Sequence, residues 1–374
     1  MITWAVVGVG RMGKRHALNL LKGRVKGAKL IAVCDTDCEK TRYFAGKKVF
    51  CTADYREVAA KKPDCVIIAT EHYKHAEIAS YFLEKGIHTL VEKPLTVTVK
   101  EGRKLVADSR KSKALFGIMY NQRTNPMYIK AKRLIEGGEI GKIQRVNFTV
   151  THWYRSQAYY NQGGWRASWN GEGGGTLINQ CVHQLDILCW LLGRPEKVYA
   201  KCKTKGRNIT TENDVTALVS YDGFDLVFTA STHELPGTNR LEIAGDKGRI
   251  VITGGAMKYD LLRLSEPEVN ARTEKGYGRT GYKRRRRFYG IRAVKDALFG
   301  QQRNVLQSFT EAACRNDVGL LTARGEEGLN ALEIINAMYM SEWTGREISL
   351  PFSDEEYADL LAKKCKEERG GQQK

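Results

Sequence analysis

The stretch Val6-Val7-Gly8-Val9-Gly10-Arg11-Met12-Gly13 leaves an apolar run at Thr3–Val7 and enters a segment of helical periodicity, Met12–Leu21. It fits the pattern GxGxxG between a strand and a helix. Gly8 permits a tight turn, Gly10 lets a ligand approach the backbone, and Gly13 lets the helix pack close to the strand. The helix start, with Arg11 and Met12, then presents N–H groups and the positive end of the helix dipole to an anion such as a pyrophosphate. Asp35 closes the next strand, 22 residues after Gly13. A carboxylate at that place accepts hydrogen bonds from adenosine ribose hydroxyls and repels a 2′-phosphate. The loop and Asp35 together predict a bound dinucleotide, NAD in preference to NADP, with Arg11 and Arg42 leaving NADP open.

Outward from this loop the first third alternates strand and helix signals. Apolar runs at Leu30–Cys34, Cys65–Ala69, His88–Val91 and Leu115–Met119 are separated by helical segments at Asp37–Phe44, His75–Leu83 and Val99–Ser109. Strands without polar alternation, joined by helices, predict a doubly wound parallel sheet with both faces covered, an α/β domain over residues 1–122. The character changes after Arg123. A helix at Met127–Glu136 leads into longer, alternating runs at Ile143–Trp153, Lys197–Lys203, Val215–Tyr221, Leu226–Thr232 and Leu241–Thr253. Turn signals such as Asp222-Gly223 and Asp246-Lys247-Gly248 separate them. This predicts a second domain over 123–362, built on a large, mostly antiparallel open sheet. Helices at Thr176–Leu192, Asn304–Ala313 and Gly325–Glu342 are expected to complete it. Residues 363–374, charged and poor in apolar anchors, are expected to be a disordered tail.

Composition narrows the function. The chain has 374 residues, 42% hydrophobic and 28% charged, which is ordinary globular usage. No apolar run approaches the ~20 residues needed to span a bilayer, and no secretory leader is read at the start. Nine scattered cysteines without a CxxC pair predict reduced thiols in a cytoplasmic protein. No His, Cys and carboxylate cluster has metal-ligand spacing, so no metal is expected. The formal charge of +19 is mostly dispersed; the one dense run, Lys283–Arg287, reads as a solvated surface loop or as a contact for an anionic ligand. Nucleic acid and membrane partners are not expected.

Two further clusters carry chemistry. Glu92-Lys93-Pro94 follows a strand of the parallel sheet, where ligands of such folds sit, and an ammonium there can hold and polarise a substrate hydroxyl. Gly173-Gly174-Gly175 precedes a helix on which Asn179, His183 and Asp186, at spacings of four and three, share a face beside the apolar stripe Ile178, Val182, Leu185, Cys189 and Leu192. An imidazole at that edge can take a proton from an alcohol as hydride leaves its carbon. Between them, Trp153–Trp169 is dense in Tyr, Trp, Arg, Asn and Gln, side chains suited to a sugar; Tyr154 is a candidate substrate contact.

Taken together, the Gly8–Gly13 loop, Glu92–Pro94, the strand end Tyr120-Asn121-Gln122-Arg123, Trp165-Arg166, the triple-glycine helix carrying His183 and the late segment Gly345–Leu350 before Pro351 resemble the glucose–fructose oxidoreductase/inositol dehydrogenase (Gfo/Idh/MocA) family. The resemblance implies hydride exchange between NAD(P) and a secondary alcohol of a sugar, sugar derivative or cyclitol. It implies that Lys93 binds the reacting hydroxyl, that His183 transfers the proton and that Asp186 lines the pocket. Thr70, His75, Glu92, Lys93, Asn121, Trp165 and Arg166 are expected along the dinucleotide, and Lys93, Arg123, Tyr154, Asn179 and His183 along the substrate. It also implies a homodimer or homotetramer formed through the open sheet. One departure stands out: many relatives carry Asp four residues before the histidine, and this chain has Asn179, whose amide is expected to orient the imidazole without stabilising its charged form. Two rival readings keep the fold. In one, tightly held NAD oxidises a sugar carbon transiently to ease glycosidic cleavage; in the other, the protein senses a dinucleotide without turnover.

Overall fold

The structure is a computed structural model, and it describes residues 1–274, 276, 284–289 and 300–371. Its first sheet has six parallel strands: β1 Ile2–Val7, β2 Ala28–Cys34, β3 Phe50–Thr52, β4 Cys65–Ile68, β5 His88–Val91 and β6 Phe116–Ile118. They lie in the order β3-β2-β1-β4-β5-β6, so the chain reverses direction across the sheet between β1 and β4. That reversal opens a crevice at the carboxyl ends of the strands, beside the glycine loop. Successive residues of β1 divide between two cores. Trp4 and Val6 pack with Leu30, Val33, Ile67 and Leu90 on one face; Ala5 and Val7 pack with Ala32, Val66, Ile68 and Phe82 on the other. The unbroken Val and Ile runs follow from this two-sided burial.

The helix Gln301–Arg315, expected to close the second domain, instead returns to cover the first sheet. Its Phe309 ring lies 5.4 Å from that of Trp4, and Thr310 accepts a 3.1 Å hydrogen bond from the Trp4 indole. The second sheet has nine strands: β7 Ile143–Val150, β8 Lys197–Lys203, β9 Asp214–Tyr221, β10 Phe224–Ser231, β11 Asn239–Gly245, β12 Gly248–Thr253, β13 Ala256–Leu262, β14 Arg284–Tyr289 and β15 Ile348–Ser349. Their order is β14-β13-β12-β11-β7-β10-β9-β8-β15, antiparallel except for the β7–β10 pair. Val215, Ala217, Val219 and Tyr221 of β9 alternate inward, and the helices Val182–Leu192 and Gly328–Thr344 fill that inner face. The outer face stays open. There Tyr199, Leu218 and Val227 stand opposite one another on β8, β9 and β10, each about two-fifths exposed.

Two expectations are corrected. Residues 363–371 are not a loose tail but the end of the helix Asp354–Gly371. Tyr357, Leu361 and Glu368 on one side of it are buried, and the Glu368 carboxylate accepts the backbone N–H groups of Trp169 and Asn170 at 3.0 and 2.9 Å. Residues 372–374 lie outside the described residues. Within the basic run, Arg284–Arg287 is strand backbone paired with β13 at the sheet edge, not a loop; Lys283 lies outside the described residues. Among the described residues, no helix is long and apolar enough to cross a membrane.

Candidate active site

The glycine loop forms the first wall of the crevice. Gly8 leaves β1 at φ +85°, and a Cβ there would stand 2.6 Å from the Ala69 carbonyl carbon. A Cβ on Gly13 would stand 1.7 Å from the Gly8 carbonyl oxygen. Both glycines are therefore demanded by packing. Gly10 is different: a Cβ there meets nothing within 4 Å. It is the N-cap of the helix Arg11–Leu21, and no side chain caps that helix start. Open space in front of an uncapped helix N-terminus is what a pyrophosphate needs, so the loop fits a dinucleotide. Arg11 is exposed and Met12 half-buried at its edge. At the end of β2, the Asp35 carboxylate braces the loop through a 2.7 Å hydrogen bond from the Val9 N–H. Its other oxygen accepts from the Asp37 N–H at 3.0 Å and faces the Lys40 ammonium at 3.4 Å. A carboxylate has about four acceptor directions, which leaves capacity for a ribose hydroxyl.

Lys93 sits just beyond β5. Its ammonium donates a 2.6 Å hydrogen bond to the backbone carbonyl of Asn179, joining the parallel sheet to the second wall. Burial holds its pKa below the ordinary lysine value, against the pull of Glu92 and Glu172. The ring of His183 lies edge-on to Tyr120, centroids 6.4 Å apart. Its Nδ1 is sealed from solvent without a partner among the described residues, which leaves the other ring nitrogen for chemistry. Burial, with the Lys93 charge second, pushes the imidazole pKa down to about 3. The ring is therefore neutral at physiological pH and feels the ammonium directly. The two groups expected to work together are brought together.

Several other expectations are corrected. The helix does not run regularly from Thr176. Leu177–Cys181 is a π-helical turn, and the α-helix is Val182–Leu192. Such turns widen a helix locally and concentrate at functional sites. Asn179 lies within it, and its amide does not orient the imidazole: its Nδ2 donates to the carboxylate of Glu172. Asp186 and Arg123 do not line the crevice but bind each other in a bidentate pair at 2.7 and 3.0 Å, both almost fully buried. Burial pushes the Asp186 carboxyl up to about 6, opposed by the guanidinium, and Glu327 takes a further Arg123 hydrogen bond at 2.7 Å. Glu92 is turned inward onto His16 at 2.6 Å. His75 is fully buried between the Pro94 and Thr70 carbonyls, at 2.8 and 3.2 Å, and ties those two loops together. Asn121 donates to Gln301 at 2.8 Å. Tyr154 is exposed, under the Arg207 guanidinium, and among the described residues no hydrogen bond or ring contact ties it to Lys93 or His183. Trp165 meets His72 edge-on, and Arg166 lies over both Trp165 and Tyr159. Thr70 is half-buried next to the loop, its N–H 2.8 Å from where a Gly8 Cβ would stand.

Sequence reading passed over His16, His72, Lys40 and Glu172. His16 and His72 are single polar residues whose partners are distant in the chain, while Lys40 pairs locally with Asp35 on a helix that already reads as a charged surface. Glu172 stands next to the triple glycine, and its sole sequence signal is a carboxylate without a charged neighbour in a glycine-rich run. Its backbone carbonyl accepts a 2.8 Å hydrogen bond from His72 Nδ1, and its side chain is buried beside Asn179.

Comparison with known proteins identifies the family. Residues 2–120 match the family model for the oxidoreductase family with an NAD-binding Rossmann fold, and residues 128–251 match that for the GFO/IDH/MocA C-terminal domain. The scyllo-inositol 2-dehydrogenase (NAD(+)) of Bacillus subtilis is 29% identical over 274 residues, covering 70% of this chain and 75% of that protein. The WlbA dehydrogenase of Chromobacterium violaceum, solved with NADH and UDP-GlcNAcA, superposes with a TM-score of 0.78 at 27% identity, over 94% of this chain and 96% of that one. The WlbA dehydrogenase of Bordetella pertussis has a TM-score of 0.77 at 24% identity, over 94% and 99%, a likeness of fold. Two matches to one family, in order and over the two sheets that make the crevice, show that this chain belongs to the Gfo/Idh/MocA oxidoreductases and carries their NAD-binding Rossmann domain.

Proposed function

We propose that the protein is an NAD-dependent dehydrogenase or reductase acting on a secondary alcohol of a sugar, sugar derivative or cyclitol. The observation that carries this reading is that a part-buried ammonium just beyond β5 and an imidazole on the helix Val182–Leu192 feel each other's charge beside an open phosphate cradle. NAD, held by the Gly8–Gly13 loop and Asp35, supplies the hydride acceptor. Lys93 holds the reacting hydroxyl and lowers its proton affinity by its charge. His183, kept neutral by desolvation and by the Lys93 charge, accepts the hydroxyl proton on its unsealed nitrogen. A pKa near 3 makes the ring a weak base on its own; the ammonium at the same oxygen offsets that by stabilising the alkoxide as it forms. In the reverse direction the same two groups return the proton.

The substrate class is supported by the inositol dehydrogenase and sugar-nucleotide relatives and by the ring-and-guanidinium contacts among Tyr154, Tyr159, Trp165, Arg155, Arg166 and Arg207 in the segments that follow β7 and β8. The arginines favour an anionic group on the substrate. We also read the open face carrying Tyr199, Leu218 and Val227 as the contact of a homodimer or homotetramer, and the nine unpaired cysteines as those of a cytoplasmic protein.

The test is a turnover screen with NAD and with NADP against inositols, free sugars, glycosides and nucleotide sugars, followed by nicotinamide absorbance. Reduction of NAD by at least one polyol or sugar is expected. Cleavage of a glycoside without accumulating NADH would replace this reading with transient oxidation. Dinucleotide binding with no turnover on any substrate would replace it with a sensor.

A further inference from the structure

Asn179 stands where many relatives have a carboxylate, yet the site holds a carboxylate all the same. Glu172 comes in from the loop before the triple glycine, is only 3% exposed, and meets the Asn179 amide with one oxygen. Its other oxygen accepts the Ala167 N–H at 2.7 Å. The Asn179 carbonyl in turn accepts the Lys93 ammonium. Asn179 thus grips Lys93 with its backbone while Glu172 grips Asn179 by its side chain. The two attachments lie within one π-helical turn, so a shift of Glu172 moves the carbonyl that aims Lys93.

Charge counting leads to the same residue. Among the described residues, the groups whose charges couple to the Lys93 ammonium include the carboxylates Glu92 and Glu172, the guanidinium of Arg166, the thiol of Cys181 and the imidazoles of His72, His75 and His183. With the histidines neutral, Lys93 and Arg166 balance Glu92 and Glu172. Glu92 already shares its charge with His16. Without Glu172 the buried cluster would carry excess positive charge, and the ammonium would be the group to lose a proton.

We propose that Glu172 is the positioning carboxylate of Lys93, acting across Asn179 and replacing in space the acid that Asn179 lacks in sequence. The proposal rests on the reading that Lys93 binds the reacting hydroxyl, but it can be tested apart from turnover. Glu172→Gln keeps an acceptor for the Ala167 amide and removes the charge. Competitive acetylation of Lys93 by acetic anhydride, read peptide by peptide by mass spectrometry across pH in the NAD-free protein, reports when the amine loses its proton. In Glu172→Gln the Lys93 midpoint should fall by about one pH unit or more, and the alkaline limb of kcat should move down with it. The loss of kcat should grow with pH rather than stand constant. An unchanged midpoint in folded Glu172→Gln overturns the proposal. If that variant fails to fold, the relocated acid decides: Glu172→Gln combined with Asn179→Asp should restore folding and a midpoint near that of the parent. A double variant that stays unfolded, or one whose midpoint rises about a unit above the parent, as it would if only the new carboxylate counted, also overturns it. A shifted midpoint in protein that turns over no substrate would uphold Glu172 and remove the dehydrogenase reading.

Discussion

The two walls of the crevice are built on different principles. The Gly8–Gly13 wall is a matter of backbone: two glycines are forced by contacts of 2.6 Å or less, and the third leaves room for a ligand. The wall from Trp165 to His183, with the Arg123–Asp186 pair buried behind it, is a matter of side-chain pairing across the chain. Lys93 reaches Asn179 over 86 positions, and Arg123 reaches Asp186 over 63. A backbone motif is written in consecutive residues; a pairing network is written nowhere in particular. The glycines of the first wall could be read from consecutive residues, whereas the second yielded Asn179 and His183 but neither Glu172 nor the pairing partners.

The sharpest way to break this comparison is to remove the groups where the walls meet. His183→Ala and Lys93→Met should each lower kcat by ~10²–10⁴ on an identified substrate while leaving NAD affinity within about threefold. Steady-state rates and a fluorescence titration with NADH separate the two effects. Full turnover in both variants would remove the assigned roles.

Next in size is a test of the buried pair. Asp186→Asn takes from the buried Arg123 its bidentate partner and leaves only Glu327 opposite it, which should cost up to about 3–5 kcal/mol of stability. The thermal midpoint should drop while kcat/KM, measured well below that midpoint, changes little. A large fall in kcat/KM with an unchanged midpoint would return Asp186 to the substrate pocket. The glycine wall offers a smaller, paired test. Gly13→Ala drives a Cβ into the Gly8 carbonyl and should cost about 1–3 kcal/mol together with dinucleotide affinity. Gly10→Ala should leave the melting temperature unchanged, because its Cβ meets no protein atom, and weaken NAD binding about tenfold or more. Equal melting losses in the two variants would mean that Gly10 is structural after all.

Much of the fold was legible for the same physical reason as the first wall. Two-sided burial makes β1, β2, β4 and β5 continuous apolar runs, and one-sided burial makes β8, β9 and β10 alternate. What escaped was short, charged or paired at long range. Phe50–Thr52 and Ile348–Ser349 have too few residues to show a period. Arg284–Tyr289 opens with four arginines and so carries no apolar alternation. The helix Asp354–Gly371 has a buried stripe at Tyr357, Leu361 and Glu368, but the stripe ends in a glutamate whose partners, Trp169 and Asn170, are nearly 200 positions away. In the site, Lys93, His183 and the loop were found because each belongs to a local pattern. Glu172, His16 and His72 were missed because a buried polar residue is defined by what it meets.

The smallest effect probes the joint between the walls. His72 reaches from the first sheet to the Glu172 carbonyl at 2.8 Å, and His75 holds the loop carrying Pro94. Burial lowers both imidazole pKa values from 6.5, that of His72 to about 3. The unfolded chain therefore binds protons that the folded chain refuses. Stability is fully present above about pH 6.5 and is lost as the pH falls from there toward the folded values, at up to about 1.4 kcal/mol per pH unit for each histidine. Equilibrium urea unfolding between pH 8 and 5 should show this slope, and His72→Asn should flatten part of it, since the asparagine amide can still donate to the Glu172 carbonyl without titrating. The Glu172 link makes a further distinction. Acid should expose Trp165, packed on His72, to fluorescence quenchers before it releases the glycine loop, because Gly8 and Gly13 are fixed by backbone packing that does not titrate. Loss of NADH binding at a higher pH than the tryptophan change would show that the first wall is the weaker one.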